Sequence, residues 1–210
     1  MVHFTLFGIP VYIRPSFWVV LAIFGGALSI SSVEDLIYPA LFVIAGFVAI
    51  LSHEMGHALV GRKLGGGQQT IVLELFGGLT SSHGMQLTRG GRALMILAGP
   101  MMTLLLGIIS LWLTWNIVAP VMTSYNLNFW DLAISPFTAA LISPKLYILS
   151  CLIMIGEWWT ILNLLPIYPL DGGQLIAQYI RSPRKVFMTG FITAILIGLL
   201  SFQLFHGYFI

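Results

Sequence analysis

The sequence predicts an all-α polytopic membrane protein with about five transmembrane helices and a small membrane-associated β-hairpin. Of its 210 residues, 58% are hydrophobic and only 8% are charged, and the mean hydropathy is +0.97. A soluble domain is typically about 25% charged. This chain therefore has too few charges to cover a water-exposed surface. The composition makes a soluble enzyme, a nucleic-acid-binding protein and a disordered chain poor fits.

Four or five segments are apolar enough to cross a bilayer as helices, which takes about 20 residues, and five is the preferred count. Two shorter apolar stretches, 132–142 and 170–180, are predicted to be re-entrant or interfacial, or to extend neighbouring helices. Six spans are the alternative count. The five predicted spans are 17–33, 36–60, 93–118, 146–165 and 186–210.

The basic residues orient these spans. With five spans, eight of the nine basic residues fall on one side, and only Lys145 falls on the other, beside Glu34, Asp35 and Asp131. By the positive-inside rule the N-terminus is expected in the cytoplasm. The expected location is a bacterial or archaeal cytoplasmic membrane. The eight residues are Arg14, Arg62, Lys63, Arg89, Arg92, Arg181, Arg184 and Lys185.

The connection between the second and third spans contains a predicted short strand. Segment 71–80 is β-like and includes Gly77-Gly78. A strand in lipid must pair with another strand or line a polar cavity, because its backbone groups find no water there. An ordinary surface hairpin fits this segment equally well.

The second span carries the pattern H-E-x-x-H at His53, Glu54 and His57. Residues four apart share one helix face, so both imidazoles can reach one metal ion, while Glu54 can activate a metal-bound water. Ionisable residues at this depth are costly unless they act together. The pattern predicts a site for one zinc ion, and the blander alternative is two histidines in ordinary polar contacts.

A catalytic zinc site normally has three protein ligands, so a third is required. The acidic candidates on the same side are Glu74, Glu157 and Asp171. Asp171 has the best context, because Pro166 and Pro169 break the helix before it and irregular backbone at membrane depth is tolerated where it lines a cavity. The second and fourth spans both run inward, which brings Asp171 to a depth similar to that of the histidines. A plain Asp-Gly turn is the alternative.

Two motifs together resemble the site-2 protease family of intramembrane zinc metalloproteases: H-E-x-x-H at 53–57 and N-x-x-P-x-x-P-x-D-G-G at 163–173. The F-G-G at 76–78 resembles the family's membrane-associated hairpin loop, and the A-G-P at 98–100 its small-residue motif. The short sporulation-type branch, without a PDZ or CBS domain, is similar in size. Many members have Asn soon after the Gly-Pro, where Thr103 stands here.

This resemblance implies roles for individual residues. His53, His57 and Asp171 would bind one Zn²⁺ ion, and Glu54 would be the general base. Residues 1–210 would form a single transmembrane protease domain with a catalytic core at about 36–180. The residues expected to bind substrate are Phe76, Gly77, Gly78, Asn163 and Pro166.

The expected function is an intramembrane zinc endopeptidase that hydrolyses a peptide bond within or near the transmembrane segment of a membrane-protein substrate, as in regulated intramembrane proteolysis. A helix hides its peptide bonds, so the substrate must unwind, and a strand edge can hold it extended. The expected partners are the lipid bilayer, this substrate and a regulatory membrane protein, with no nucleic acid. The alternatives are a metal-ion transporter and a catalytically silent chaperone. The roles of Glu74, Glu157 and His83 stay open.

Overall fold

A computed structural model describes residues 1–75, 77–84, 86–125, 130, 133, 135–180 and 182–207. The chain divides into two compact units, Met1–Thr160 and Ile161–Ile210, and the boundary falls within a helix. The described part of the first unit contains strands β1 (Val2–Leu6), β2 (Ile9–Ile13), β3 (Gln68–Glu74) and β4 (Gly77–His83), and helices α1 (Pro15–Phe24), α2 (Ile37–Gly65), α3 (Arg89–Tyr125), α4 (Pro136–Ala140) and most of α5 (Pro144–Leu164). The second unit contains the end of α5, α6 (Asp171–Ala177) and α7 (Pro183–Gly207).

Three helices in the described part of the chain are long and apolar enough to cross a membrane: Glu34–Gly65, Arg89–Ala119 and Pro144–Leu164. They correspond to the predicted second, third and fourth spans and fit an integral membrane protein. Helix α7 overlaps the predicted last span, whose residues 208–210 lie outside the described residues. The total of five spans stays a prediction.

The first predicted span is helical over a shorter stretch than expected. Helix α1 has 10 residues, which makes it about 15 Å long, roughly half the hydrocarbon thickness. It ends because Gly26 adopts the left-handed conformation, with φ of 87°. Helix α1 runs antiparallel to α2, with Leu21 against Gly46 and Gly25 against Phe42.

The predicted hairpin exists and belongs to a larger sheet. Strands β3 and β4 pair antiparallel, and the strand order is β1-β2-β3-β4, with β2 parallel to β3. The N-terminal strands β1 and β2 were not predicted. Alternate residues Ile9, Val11 and Ile13 are buried, and Val11 and Ile13 face Ile71 and Leu73 in register. One face of the sheet is therefore part of the core.

The core of the first unit lies between this sheet, α1 and α2. Phe17 and Leu21 from α1 pack with Ile50, Met55 and Ala58 from α2 and with the buried strand residues. This packing holds the sheet against the segment of α2 that carries the H-E-x-x-H pattern.

In the second unit, an irregular segment joins α5 to α6, as the two prolines predict. The segment folds back on the start of α6. A side chain at Gly172 would overlap the Leu164 carbonyl, and one at Gly173 would overlap the backbone at Ile167. The two glycines thus permit a close turn that places Asp171 at the first position of α6.

Candidate metal and catalytic site

His53 and His57 form a buried pair on one face of α2. Their Nε2 atoms lie 3.0 Å apart, and their ring planes are inclined by 80°. The residues are 2% and 8% exposed. The four-residue spacing thus brings both Nε2 atoms to one point, as a shared metal ion would require.

The other ring nitrogen of His57 has a backbone partner. Nδ1 of His57 lies 2.8 Å from the carbonyl oxygen of Met95 on α3. A carbonyl only accepts hydrogen bonds, so Nδ1 carries the proton and donates it. The lone pair of the neutral ring is then on Nε2, which faces His53. This is the usual arrangement of a metal-binding histidine, whose second nitrogen is held by a carbonyl or carboxylate.

Gly99 leaves the space beside the two imidazoles open. A Cβ atom at this position would overlap the His57 ring and come within 2.8 Å of Nε2 of His53. Gly56 has a complementary role on α2, where a Cβ would overlap the carbonyl of Ala98. Close approach of α2 and α3 therefore depends on small residues from both helices. The nitrogen donors and the space at Gly99 fit a metal ion.

Strand β4 contacts Glu54 directly. The hydroxyl of Thr80 lies 2.8 Å from Oε2 of Glu54 and 3.1 Å from its backbone oxygen. A Cβ at Gly78 would overlap the Glu54 side chain. The absence of a side chain at Gly78 thus lets the backbone of the strand approach the carboxylate, which is itself buried.

Thr103, where many members of the site-2 protease family have Asn, connects two helices. Its hydroxyl is buried and lies 2.8 Å from the hydroxyl of Thr160 on α5 and 3.0 Å from the carbonyl oxygen of Pro100. Thr160 also donates to the Pro100 carbonyl. These contacts fix α5 to α3 directly beside Gly99.

Trp159 adjoins the site, although the sequence did not single it out. Its ring lies edge-on to His53 with centroids 6.5 Å apart. Gly77 adopts a φ of 117°, and a Cβ there would overlap the indole. No local sequence signal distinguishes Trp159 from the adjacent Trp158, which is 61% exposed.

Glu74, Glu157 and His83 lie in different surroundings. Glu74 pairs with Arg14 over 2.8 Å, and both side chains are partly exposed. Glu157 is exposed on α5, and His83 is exposed at the end of β4. Glu74 therefore has an ion-pair partner that the sequence did not predict.

Three of the predicted site residues belong to the second unit. Asp171 is buried, whereas Asn163 in the last turn of α5 and Pro166 after it are half-buried. Gly77 and Gly78 belong to the first unit, at the start of β4. Phe76 lies outside the described residues.

Comparison with known proteins gives consistent matches. The family description "Peptidase family M50" matches residues 41–205. The chain is 28% identical over 212 residues to a zinc metalloprotease of Methanocaldococcus jannaschii, covering 96% of this chain and 54% of that protein. It is also 28% identical over 188 residues to a Synechocystis sp. protein that is provisionally named a zinc metalloprotease. This match covers 84% of this chain and 43% of that protein.

The fold is also similar to a solved structure, the site-2 protease from Methanocaldococcus jannaschii. The TM-score is 0.59 with 25% sequence identity, over 97% of this chain and 87% of that one. The chain spans about half the length of the curated relatives described above. These matches do not favour the metal-transporter alternative.

Proposed function

The chain belongs to peptidase family M50, and we propose that it is an intramembrane zinc endopeptidase. Its substrate is a membrane protein, hydrolysed at a peptide bond within or near a transmembrane segment. The observation that carries this proposal is the buried His53–His57 pair next to Glu54, whose carboxylate is hydrogen-bonded by Thr80. Two nitrogen ligands and an adjacent general base are the parts that metal-assisted hydrolysis needs.

Zinc is the metal of this protease family. We propose His53, His57 and Asp171 as its protein ligands. The position of the two Nε2 atoms beside Gly99 supports His53 and His57 as ligands. The buried carboxylate of Asp171 and its place in the D-G-G segment support the third ligand. When bound, zinc polarises the scissile carbonyl and lowers the pKa of water.

Glu54 has the role of general base in this proposal. It takes a proton from the attacking water and passes it to the leaving amine. The Thr80 hydroxyl donates to Oε2 and fixes the orientation of the carboxylate, which leaves Oε1 as the proposed proton acceptor. Burial of Glu54 keeps bulk water away from this proton transfer.

Strand β4 is the proposed holder of the unwound substrate. In the described sheet β4 is the outermost strand, so its second edge can pair with an added strand. The contact of Gly78 with Glu54 would bring a peptide on that edge close to the general base. Asn163 and Pro166, with Gly77 and the undescribed Phe76, complete the proposed substrate-binding set.

The proposal also covers domain extent, membrane orientation and partners. Residues 1–210 form one transmembrane protease domain with its catalytic core at about 36–180. The N-terminus is proposed to be cytoplasmic, as the distribution of basic residues supports. The proposed location is a bacterial or archaeal cytoplasmic membrane. A membrane-protein substrate and a regulatory membrane protein are the proposed partners.

The proposal is tested on the purified protein reconstituted in liposomes with a synthetic transmembrane peptide. We expect about one zinc per chain, and cleavage that a chelator abolishes and added zinc restores. The same vesicles are assayed for metal flux. Zinc transport without any cleavage would contradict the proposal and favour a transporter.

A further inference from the structure

A small apolar cavity adjoins the catalytic residues in the first unit. It has a volume of about 210 Å³. The cavity lies between α1, the middle of α2, the adjoining ends of β3 and β4, and the indole of Trp159. Its lining includes Phe17, Val20, Leu21, Ile50, Gly77 and Trp159.

Three of these residues connect the cavity to the catalytic site. Ile50 precedes Glu54 by one helical turn on α2, so their side chains are neighbours on one face. Trp159 is a shared wall, since its ring is edge-on to His53 and also lines the cavity. Gly77 is the first residue of β4, whose Thr80 binds Glu54.

Position 77 controls the width of the cavity. A side chain there would overlap Trp159, and the φ of 117° is one that glycine adopts without strain. Glycine at this point thus keeps the indole in place and the space beside it open.

We propose that this cavity is the subsite for one large apolar side chain of the substrate, of the size of leucine or phenylalanine. The inference rests on the proposed function. A peptide paired with β4 advances about 3.3 Å per residue and directs alternate side chains to the same face. Because Gly77 of the same strand lines the cavity, we expect a side chain within a few residues of the bond beside Glu54 to enter it.

Size and chemistry favour a side chain over other occupants. Sites for whole small ligands usually occupy about 300–1,000 Å³, so this cavity is too small for one. Its walls are aliphatic and aromatic apart from Glu74, whose carboxylate is paired with Arg14. An apolar side chain gains from burial here, whereas a charged one loses its hydration.

The test uses transmembrane peptides that differ at one position at a time near the cleaved bond, with either Ala or Phe at that position. Cleaved bonds are identified by mass spectrometry, and kcat/KM is measured for each peptide in liposomes. Val20→Phe fills the cavity from the half-buried face of α1. Val19→Phe is the matched control, because Val19 is 57% exposed and does not line the cavity.

At one peptide position the wild type should prefer Phe over Ala by at least about 10-fold. Val20→Phe should abolish or reverse that preference, and Val19→Phe should keep it. The subsite would be overturned if Val20→Phe slowed both peptides equally, or if the wild type showed no preference at any position. A cavity occupied by a lipid chain would give either outcome. A wild type that cleaves no peptide would refute the proposed function itself.

Discussion

The hydroxyl of Thr80 lies 2.8 Å from Oε2 of Glu54, and this contact joins the outer strand of the sheet to helix α2. The same hydroxyl lies 3.1 Å from the Glu54 backbone oxygen. Because β4 is also the strand proposed to hold the substrate, Thr80 would couple the position of the peptide to the orientation of the proposed general base.

Replacing Thr80 by Val removes this hydrogen bond while keeping the shape of the side chain. A hydrogen bond to a charged group contributes about 1.5–3 kcal/mol, so kcat should fall by roughly 10- to 100-fold. Thr80→Ser retains the hydroxyl and should retain most of the activity. Zinc content, measured in parallel, should be unchanged in both variants. A Val variant with wild-type kcat would show that Thr80 does not position Glu54.

Gly99→Ala should weaken zinc binding, because the added methyl group would occupy the space beside Nε2 of His57 and His53. We expect the zinc affinity to fall at least about 10-fold, as for other disturbances of a ligand's surroundings. The measurement is metal content by elemental analysis after dialysis against a zinc buffer.

Gly107→Ala provides the control for that variant, since Gly107 is on the same helix and its Cβ would meet open space. It should bind zinc as the wild type does. Equal zinc contents in the two variants would contradict the role assigned to Gly99.

Three carboxylate variants test the third ligand. Asp171→Asn should lose zinc, because an amide is a much poorer ligand than a carboxylate. Glu74→Gln should keep it, since Glu74 pairs with Arg14. Glu157→Gln should also keep it, because Glu157 is exposed on α5. Zinc retained by Asp171→Asn and lost from either glutamate variant would reassign the ligand.

Thr103 and Thr160 should stabilise the packing of α3 against α5 as a pair. A hydrogen bond between membrane helices contributes about 0.5–2 kcal/mol. Thr103→Val and Thr160→Val should each lower the unfolding temperature, and the double variant should lose less than the sum of the two. Additive losses, measured by thermal unfolding in detergent, would show that the two hydroxyls do not interact.

Local patterns in the sequence predicted the parts of the site that depend on local geometry. The spacing of His53 and His57 follows from helix periodicity, and the hairpin follows from strand composition and Gly77-Gly78. The parallel pairing of Val11 with Ile71 was not predicted, because it joins segments 60 residues apart. Trp159 was not recognised either, since its importance arises from contacts with Gly77 and His53 on other elements.

Helix α1 ends earlier than predicted because of backbone conformation, which composition does not reveal. Apolar residues continue beyond Gly26, so hydropathy alone extends the predicted span to Val33. The structure ends the helix where Gly26 takes a left-handed conformation. Backbone conformation at a single glycine therefore decides a boundary that composition cannot locate.

Cleavage by Glu54→Gln tests the central claim most directly. Wild type and variant are reconstituted in the same liposomes, their zinc contents are measured, and the hydrolysis of one transmembrane peptide is followed. With zinc bound in both, the variant should be slower by about 10²- to 10⁴-fold, because the general base is lost. Cleavage by zinc-loaded Glu54→Gln at the wild-type rate would contradict the account.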